Sequence, residues 1–142
     1  MADAFQSPEE FKEVMEKTFS IMSTDPDMGP QLKEADTPQR FEFDDLDLVV
    51  NIRATRGDEE GNLLWKWTDE IDWSPQVRMT MTSETANKYF QGKENVAMAI
   101  ARRKIKTGGD VKAALAILPI TKPVFAQYRT LVETDYPHLV QS

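Results

Sequence analysis

The chain has 142 residues, a formal net charge of −7 and no cysteine. This length suits one domain with a substantial core, so we interpret residues 1–142 as a single domain. The lack of cysteine excludes disulfides, thiolate catalysis and cysteine metal sites, and it permits a reducing compartment. Because neither a signal-peptide pattern nor an apolar run of ~20 residues is present, we expect a cytoplasmic protein.

The charge is distributed unevenly along the chain. Residues 1–90 carry 9 basic and 20 acidic side chains, whereas residues 91–142 carry 8 and 4. An acidic chain repels the nucleic-acid backbone at long range, so such binding would have to rest on the C-terminal third alone. We therefore predict no nucleic-acid partner.

The first predicted element is a helix over about residues 8–23. Ser7 supplies an N-cap, Pro8 suits the first helical position, and Glu10 stands three residues after the cap. Apolar residues then recur at helical spacing on one face. A short helical turn is expected over about residues 30–35.

From Arg40 the apolar period changes to two, which predicts β-strands. Two half-buried strands are expected within residues 41–54, and a hairpin loop follows at about 56–61. Residues 62–69 form a third predicted strand, whose Leu63, Trp65 and Trp67 share one face. A fourth strand follows Pro75.

The second half alternates between helices and one more strand. A helix capped by Ser83 is predicted to break at Gly92 and to resume from Asn95. A strand is expected at about residues 103–107, with Gly108 and Gly109 forming the turn after it. Asp110 should cap the next helix, which Pro119 is predicted to end, and a last helix is expected over about 123–133.

This order of elements resembles that of the sterol carrier protein 2 domain over about residues 39–119. Lys104-Ile105-Lys106 with Gly109-Asp110 is similar to the family's Gly-Lys-Leu-Lys-x-x-Gly-Asp signature, and Gly92-Lys93 resembles another recurring feature. Lys122-Pro123-x-Phe125-x-x-Tyr128 resembles the C-terminus of short, stand-alone bacterial members. One departure is clear, because Arg103 occupies the position of the signature's first Gly.

The resemblance implies an α+β fold: a mixed, mainly antiparallel sheet of about five strands, with helices over one face enclosing an apolar tunnel. It also implies a noncovalent carrier of a fatty acid, a fatty acyl-CoA or a sterol-like ligand, with no cofactor and no catalysis. The seven Met residues would suit a pocket that adapts to variable ligands. The residues predicted to line the pocket are Met15, Phe19, Met22, Val50, Ile52, Val77, Met79, Met81, Phe90, Val96, Ile100, Leu115, Leu118 and Phe125.

The basic cluster of Arg102, Arg103, Lys104 and Lys106 is a second candidate feature. A phosphate-binding loop is disfavoured, because Asp110 would occupy the helix N-terminus and repel phosphate. The interpretation that remains is steering of an anionic headgroup, or transient contact with an anionic membrane.

Catalytic and metal-binding residues are not predicted. The single histidine, His138, lies near the C-terminus, and the acidic clusters match no EF-hand spacing. Two alternatives to the carrier stay open. One is an interaction or accessory module with a closed tunnel, in which the Trp-rich strand contacts a partner, a homodimer included. The other is an enzyme that acts on an acyl-CoA or another bulky substrate.

Overall fold

The structure is a computed structural model, and it describes residues 5–140. Within this range the chain forms six α-helices, five strands and one 3-10 turn. The elements are α1 (Pro8–Thr24), α2 (Met28–Ala35), β1 (Gln39–Phe43), β2 (Leu48–Ala54), β3 (Leu63–Lys66), β4 (Val77–Met81), α3 (Ser83–Phe90), α4 (Val96–Ala101), β5 (Lys106–Gly109), α5 (Val111–Thr121), α6 (Val124–Asp135) and the 3-10 turn (Pro137–Leu139).

The five strands form one mixed sheet in the order β3-β2-β1-β4-β5. The central pair, β1 and β4, is parallel, and the other three pairs are antiparallel. Gln39 lies opposite both Ile52 and Val77, which sets the register across the middle of the sheet. The predicted α+β class and mainly antiparallel mixed sheet are therefore confirmed.

Helix α1 forms as the capping pattern predicts and covers one face of the sheet. Ser7 Oγ accepts a hydrogen bond from the Glu10 N–H, and Pro8 occupies the first turn. Phe11, which is fully buried, makes an edge-on contact with Phe43 at 4.6 Å between ring centres. The amphipathic pattern of α1 thus places its apolar face on the sheet.

Strand alternation divides the sheet into two faces. On the helix-covered face, Val50, Ile52, Val77, Met79 and Met81 are buried in one core cluster with residues of α1, α3 and α4. On the opposite face, the segment between β3 and β4 covers part of β2. The core therefore lies between the sheet and the helices.

The predicted starts of two helices, α3 and α2, need correction. The N-cap of α3 is Thr82 and not Ser83, because Thr82 Oγ1 accepts from the Thr85 N–H. Ser83 is buried, and its hydroxyl donates to Asp45 at 2.6 Å. Helix α2 begins at Met28, earlier than expected, because Asp25 Oδ1 accepts from the Met28 N–H.

The strand predicted at residues 103–107 lies instead at Lys106–Gly109. Arg103 has a φ of 61°, which excludes it from an extended strand. Gly108 and Gly109 are strand residues and not a separate turn. At Gly109, with a φ of 77°, an added Cβ would lie 2.4 Å from the Gln76 carbonyl oxygen, so only glycine fits.

Pro119 was predicted to end a helix, but it lies inside α5. Proline removes one backbone donor, and near a helix end this costs a single hydrogen bond. The Lys122 N–H still bonds to the Leu118 carbonyl at 3.0 Å, so the last turn closes. The predicted cap at Asp110 is confirmed, since its Oδ1 accepts from the Ala113 N–H.

Candidate functional site: an apolar cavity between sheet and helices

An apolar cavity of about 100 Å³ lies between the sheet and the helices. Its walls come from α1, α2, the four strands β1 to β4, α3, the start of α4, Ile105 and α5. Nine residues predicted to line a pocket do line this cavity: Met15, Phe19, Met22, Ile52, Met79, Met81, Phe90, Val96 and Leu118. Methionine supplies four of these nine side chains, and its flexible thioether suits a cavity of variable shape.

Five other residues predicted for the pocket lie elsewhere. Val50 and Val77 are buried in the core beside the cavity, and Ile100 packs against the same cluster. Phe125 belongs to a second small cluster around Val124. Leu115 is 38% exposed, because it lies on the outer side of α5. These five residues therefore do not line this cavity.

Fourteen further residues line the cavity and were not predicted from the sequence. They are Leu32, Thr37, Gln39, Phe41, Phe43, Arg53, Ala54, Leu63, Ala86, Tyr89, Ile105, Ala114, Ile117 and Thr121. The alternation of side chains along β1 indicates that Gln39, Phe41 and Phe43 share one face of the strand, so these three could have been predicted together. The helix residues depend on how each helix is rotated against the sheet, which the sequence pattern does not specify.

The polar groups at the cavity are few and uncharged. Gln39 lies on the cavity face of β1, and within residues 5–140 its side-chain amide makes no hydrogen bond. The Thr37 hydroxyl nearby donates to the Ala35 carbonyl at 3.2 Å. Elsewhere in the wall, Tyr89 and Thr121 share a hydrogen bond of 3.2 Å, and burial raises the pKa of Tyr89.

Arg53 borders the cavity, but its charge lies on the other side of the sheet. Because Ile52 and Ala54 line the cavity, strand alternation turns the Arg53 side chain to the opposite face. There it makes a two-point ion pair with Glu59, both bonds 2.8 Å, and its guanidinium lies 4.8 Å from the Trp73 ring centre. The guanidinium therefore supplies no charge to the cavity.

The Glu59 carboxylate accepts two hydrogen bonds from the Arg53 guanidinium and one from the Arg56 N–H, and these bonds stabilise its ionised form. They lower the pKa of Glu59 to about 2. Three buried polar atoms on this outer face, Asn51 Oδ1, Arg53 Nε and Trp73 Nε1, have no partner within residues 5–140.

The tryptophans pack mainly as structural residues. Trp73 is buried over Arg53, whereas Trp65 and Trp67 are half-buried. Trp65 lies 5.6 Å from the Phe19 ring centre, and the Trp67 indole N–H donates to Glu16 at 3.0 Å. These contacts fasten the sheet edge to α1.

The single histidine and the acidic side chains are the remaining candidate residues. His138 lies 2.9 Å from the Glu10 carboxylate, so it joins the C-terminal turn to α1. Within residues 5–140, no group of three His, Asp or Glu side chains is placed to hold a metal. In the same range, no helix is both long and apolar enough to cross a bilayer.

The predicted basic cluster is exposed and extends from the C-cap of α4 to the first residue of β5. Arg102 caps α4, and Arg103 and Lys104 follow in the connection to β5. Lys104 pairs with Glu94 at 3.5 Å. Ile105 is buried in the cavity wall, whereas Lys106 points outward, as the alternation predicts.

Solved structures with a similar backbone define the class of fold. Sterol carrier protein 2 from Yarrowia lipolytica, in its apo form, is 18% identical, with a TM-score of 0.53, and the match covers 87% of this chain and 95% of that one. The sterol carrier protein domain 2 of Helicoverpa armigera is 17% identical, with a TM-score of 0.55 and coverage of 84% and 93%. The chain therefore has a sterol carrier protein 2-like fold.

A second kind of similarity involves much longer proteins. A double mutant of the sec-alkyl sulfatase PisA1 is 17% identical, with a TM-score of 0.60 over 82% of this chain. The stereoselective inverting sec-alkylsulfatase Pisa1 from Pseudomonas sp. is 18% identical, with a TM-score of 0.52 over 61% of this chain. The chain spans only 13–16% of the length of these sulfatases. Neither a protein-family model nor a curated protein matches the sequence.

Proposed function

We propose that the protein is a noncovalent carrier, acting in the cytoplasm, that holds an apolar ligand in the cavity between sheet and helices. The ligand classes are those of the sequence prediction: a fatty acid, a fatty acyl-CoA or a sterol-like molecule. The observation that carries the proposal is the methionine-rich apolar cavity within a sterol carrier protein 2-like fold.

The size of the cavity limits how a ligand can enter. Ligand pockets usually measure about 300–1,000 Å³, and this cavity measures about 100 Å³. At ~24 cal/mol per Å³, an empty cavity of this size costs about 2 kcal/mol, which a domain tolerates. A long-chain ligand would therefore enter by displacing one wall, and we assign this movement to α5.

The polarity of the cavity selects among the ligand classes. No charged side chain faces the cavity within residues 5–140, since the Arg53 guanidinium is paired on the other face. A carboxylate buried there would lack a counter-charge, which is costly in an apolar environment. We infer that an uncharged hydroxyl, as in a sterol or a fatty alcohol, can be buried in the cavity and bond to Gln39, whereas a carboxylate or CoA group stays outside with only the hydrocarbon chain buried.

Native mass spectrometry before and after delipidation tests the carrier proposal. A copurified apolar mass, removed by delipidation and restored by adding a fatty alcohol or a sterol, is the expected result. If no mass is bound, and tens of micromolar ligand change neither a fluorescent ligand's emission nor that of the three tryptophans, the carrier proposal fails.

The variant Gln39→Leu tests whether Gln39 binds an uncharged headgroup. One lost hydrogen bond of ~0.5–1.5 kcal/mol predicts about a 2- to 10-fold weaker fatty alcohol affinity. Gln31→Leu, on the exposed side of α2, is the matched control and should bind as the wild type does. A preference for the ionised fatty acid over the alcohol would contradict this assignment.

The similarity to the sec-alkylsulfatases favours a second candidate function. In those proteins the matching part is a small fraction of the chain, so this fold also occurs within larger enzymes. The corresponding function is an accessory module that presents an alkyl-bearing substrate to a catalytic partner. Cross-linking of the purified protein in extract, with a fatty alcohol present or absent, would distinguish it, because only an accessory module yields one stoichiometric partner.

A further inference from the structure

We propose that residues 95–127, here called the basic segment, form a docking surface for an anionic lipid bilayer. This segment comprises α4, β5, α5 and the start of α6. It carries six Lys or Arg residues and a single acidic residue, Asp110, whereas residues 1–94 carry ten basic and 21 acidic residues. The basic segment thus has a net positive charge, whereas residues 1–94 have a net negative one.

Helix α5 is apolar on its outer side as well as its inner side. Ala114, Ile117 and Thr121 are buried against the rest of the protein. The outward side presents Leu115, which is 38% exposed, together with exposed Ala116 and Pro119. A helix that is apolar all round normally lies in a core or against lipid, so the outer side of α5 lacks an expected neighbour.

Lysines bracket the exposed apolar side of α5. Lys112 lies in its first turn and Lys122 directly follows its last, and both side chains are exposed. Apolar residues flanked by basic residues are typical of helices that lie in the plane of a membrane interface. This arrangement distinguishes a bilayer from an acidic protein, because a soluble acidic partner would not require the apolar strip between the lysines.

Helix α4 also has an exposed apolar residue next to basic residues. Met98 is 46% exposed, and Arg102 to Lys104 follow the helix directly. Arg103 adopts the left-handed backbone conformation, with a φ of 61°, and closes the helix through hydrogen bonds from Arg103 N–H to Ile100 and from Lys104 N–H to Ala99. Glycine is the favourable residue at such a position, so an arginine there adds a basic side chain at a conformational cost.

The overall negative charge does not prevent docking. At physiological ionic strength, charges farther than about 8 Å from a surface are largely screened. The charge of the face that contacts the bilayer therefore decides the interaction, and the acidic residues elsewhere have little effect on it. Within residues 5–140, Arg102, Arg103, Lys106 and Lys122 make no ion pair, so their charges are available.

Docking through α5 would bring the bilayer next to the cavity wall. Ala114, Ile117 and Leu118 line the cavity from α5, and Leu115 lies on the outer side of the same helix. A bilayer that contacts Leu115 could therefore displace the wall through which a ligand passes. This consequence rests on the proposed carrier function, whereas the docking itself does not.

The test measures cosedimentation of the ligand-free protein with vesicles of phosphatidylcholine containing 30% phosphatidylglycerol at low salt. Lys112→Glu removes one positive charge and adds one negative charge, so we expect vesicle affinity to fall about 30-fold, or ~2 kcal/mol at ~1 kcal/mol per charge. Lys33→Glu, an exposed lysine of α2, has the same change in net charge and should retain wild-type affinity.

Three outcomes would overturn the docking proposal: equal vesicle affinities for Lys112→Glu and Lys33→Glu, equal binding of the wild type to pure phosphatidylcholine, or binding to soluble poly-glutamate as tight as to vesicles. Leu115→Ser should separately weaken vesicle binding without changing the salt dependence. The vesicle measurements contain no ligand, so they test docking even if the carrier proposal fails. The ligand titrations contain no vesicles, so they test the carrier proposal even if docking fails.

Discussion

Helices α1 and α5 both line the cavity, and the two walls that they form, here called the α1 wall and the α5 wall, are built differently. The α1 wall is amphipathic, with buried apolar residues facing the sheet and charged residues facing outward. It is also fastened by polar contacts, since Ser23 Oγ accepts from the N–H groups of Asn62 and Leu63 at 2.9 and 3.0 Å. The α5 wall is apolar on both sides and is joined to α3 through the Thr121 and Tyr89 hydroxyls.

This difference assigns separate roles to the two walls. Buried apolar contacts and buried hydrogen bonds determine how much free energy local opening requires. The α1 wall has both, so it should open only with global unfolding. Helix α5 has three buried residues, against six in α1, and it exposes the apolar side chain of Leu115, so α5 is the wall that a ligand or a bilayer would displace.

The largest expected effect on the free energy of unfolding comes from truncating one cavity-lining side chain in each wall, Met15 in α1 and Leu118 in α5. Met15 is fully buried in the α1 wall, so Met15→Ala should lower the free energy of unfolding by about 2–5 kcal/mol. Leu118 is half-buried in the α5 wall, so Leu118→Ala should cost only about 1–2 kcal/mol. Urea unfolding of both variants measures the difference, and equal losses would mean that the two walls are equally part of the core.

Much of the fold could be predicted from local chemistry. The predicted capping residues Ser7 and Asp110 both cap the helices that their sequence signals indicate. The alternation of Val77, Met79 and Met81 identified the buried face of β4. These signals succeed because each depends on a few neighbouring residues and a fixed period.

The errors arose where the outcome depends on distant parts of the chain. Arg103 gives no sequence signal for a left-handed backbone, so β5 was placed too early. Leu115 is apolar like its inward neighbours, and only the rotation of α5 against the sheet places it outside. Gln39 was missed because a polar residue at the start of a strand normally indicates solvent.

A smaller effect should appear at acid pH, on the face of the sheet away from the cavity. The pKa of Glu59 is lowered to about 2 from an ordinary 4.5, so its ionised form contributes stability above about pH 4.5 that is lost as the pH falls toward 2. Glu59→Gln should remove this part of the acid-dependent loss.

Unfolding midpoints measured from pH 6 to pH 2 test the role of Glu59. Glu60→Gln, at an exposed neighbouring position, is the control and should retain the wild-type slope. The ligand affinity of Glu59→Gln should be unchanged, because the Arg53–Glu59 pair faces away from the cavity. An unchanged acid slope in Glu59→Gln would show that other carboxylates carry the effect.

The smallest expected change in stability comes from Arg103, where backbone strain and surface charge oppose each other. Arg103→Gly relieves the left-handed conformation at φ 61°, so we expect the free energy of unfolding to rise by roughly 1 kcal/mol. The same substitution removes a basic residue, so affinity for anionic vesicles should fall about fivefold. Arg102 has a φ of −90°, so Arg102→Gly should lose vesicle affinity without gaining stability. A gain in stability with unchanged vesicle binding would mean that Arg103 lies outside the docking surface.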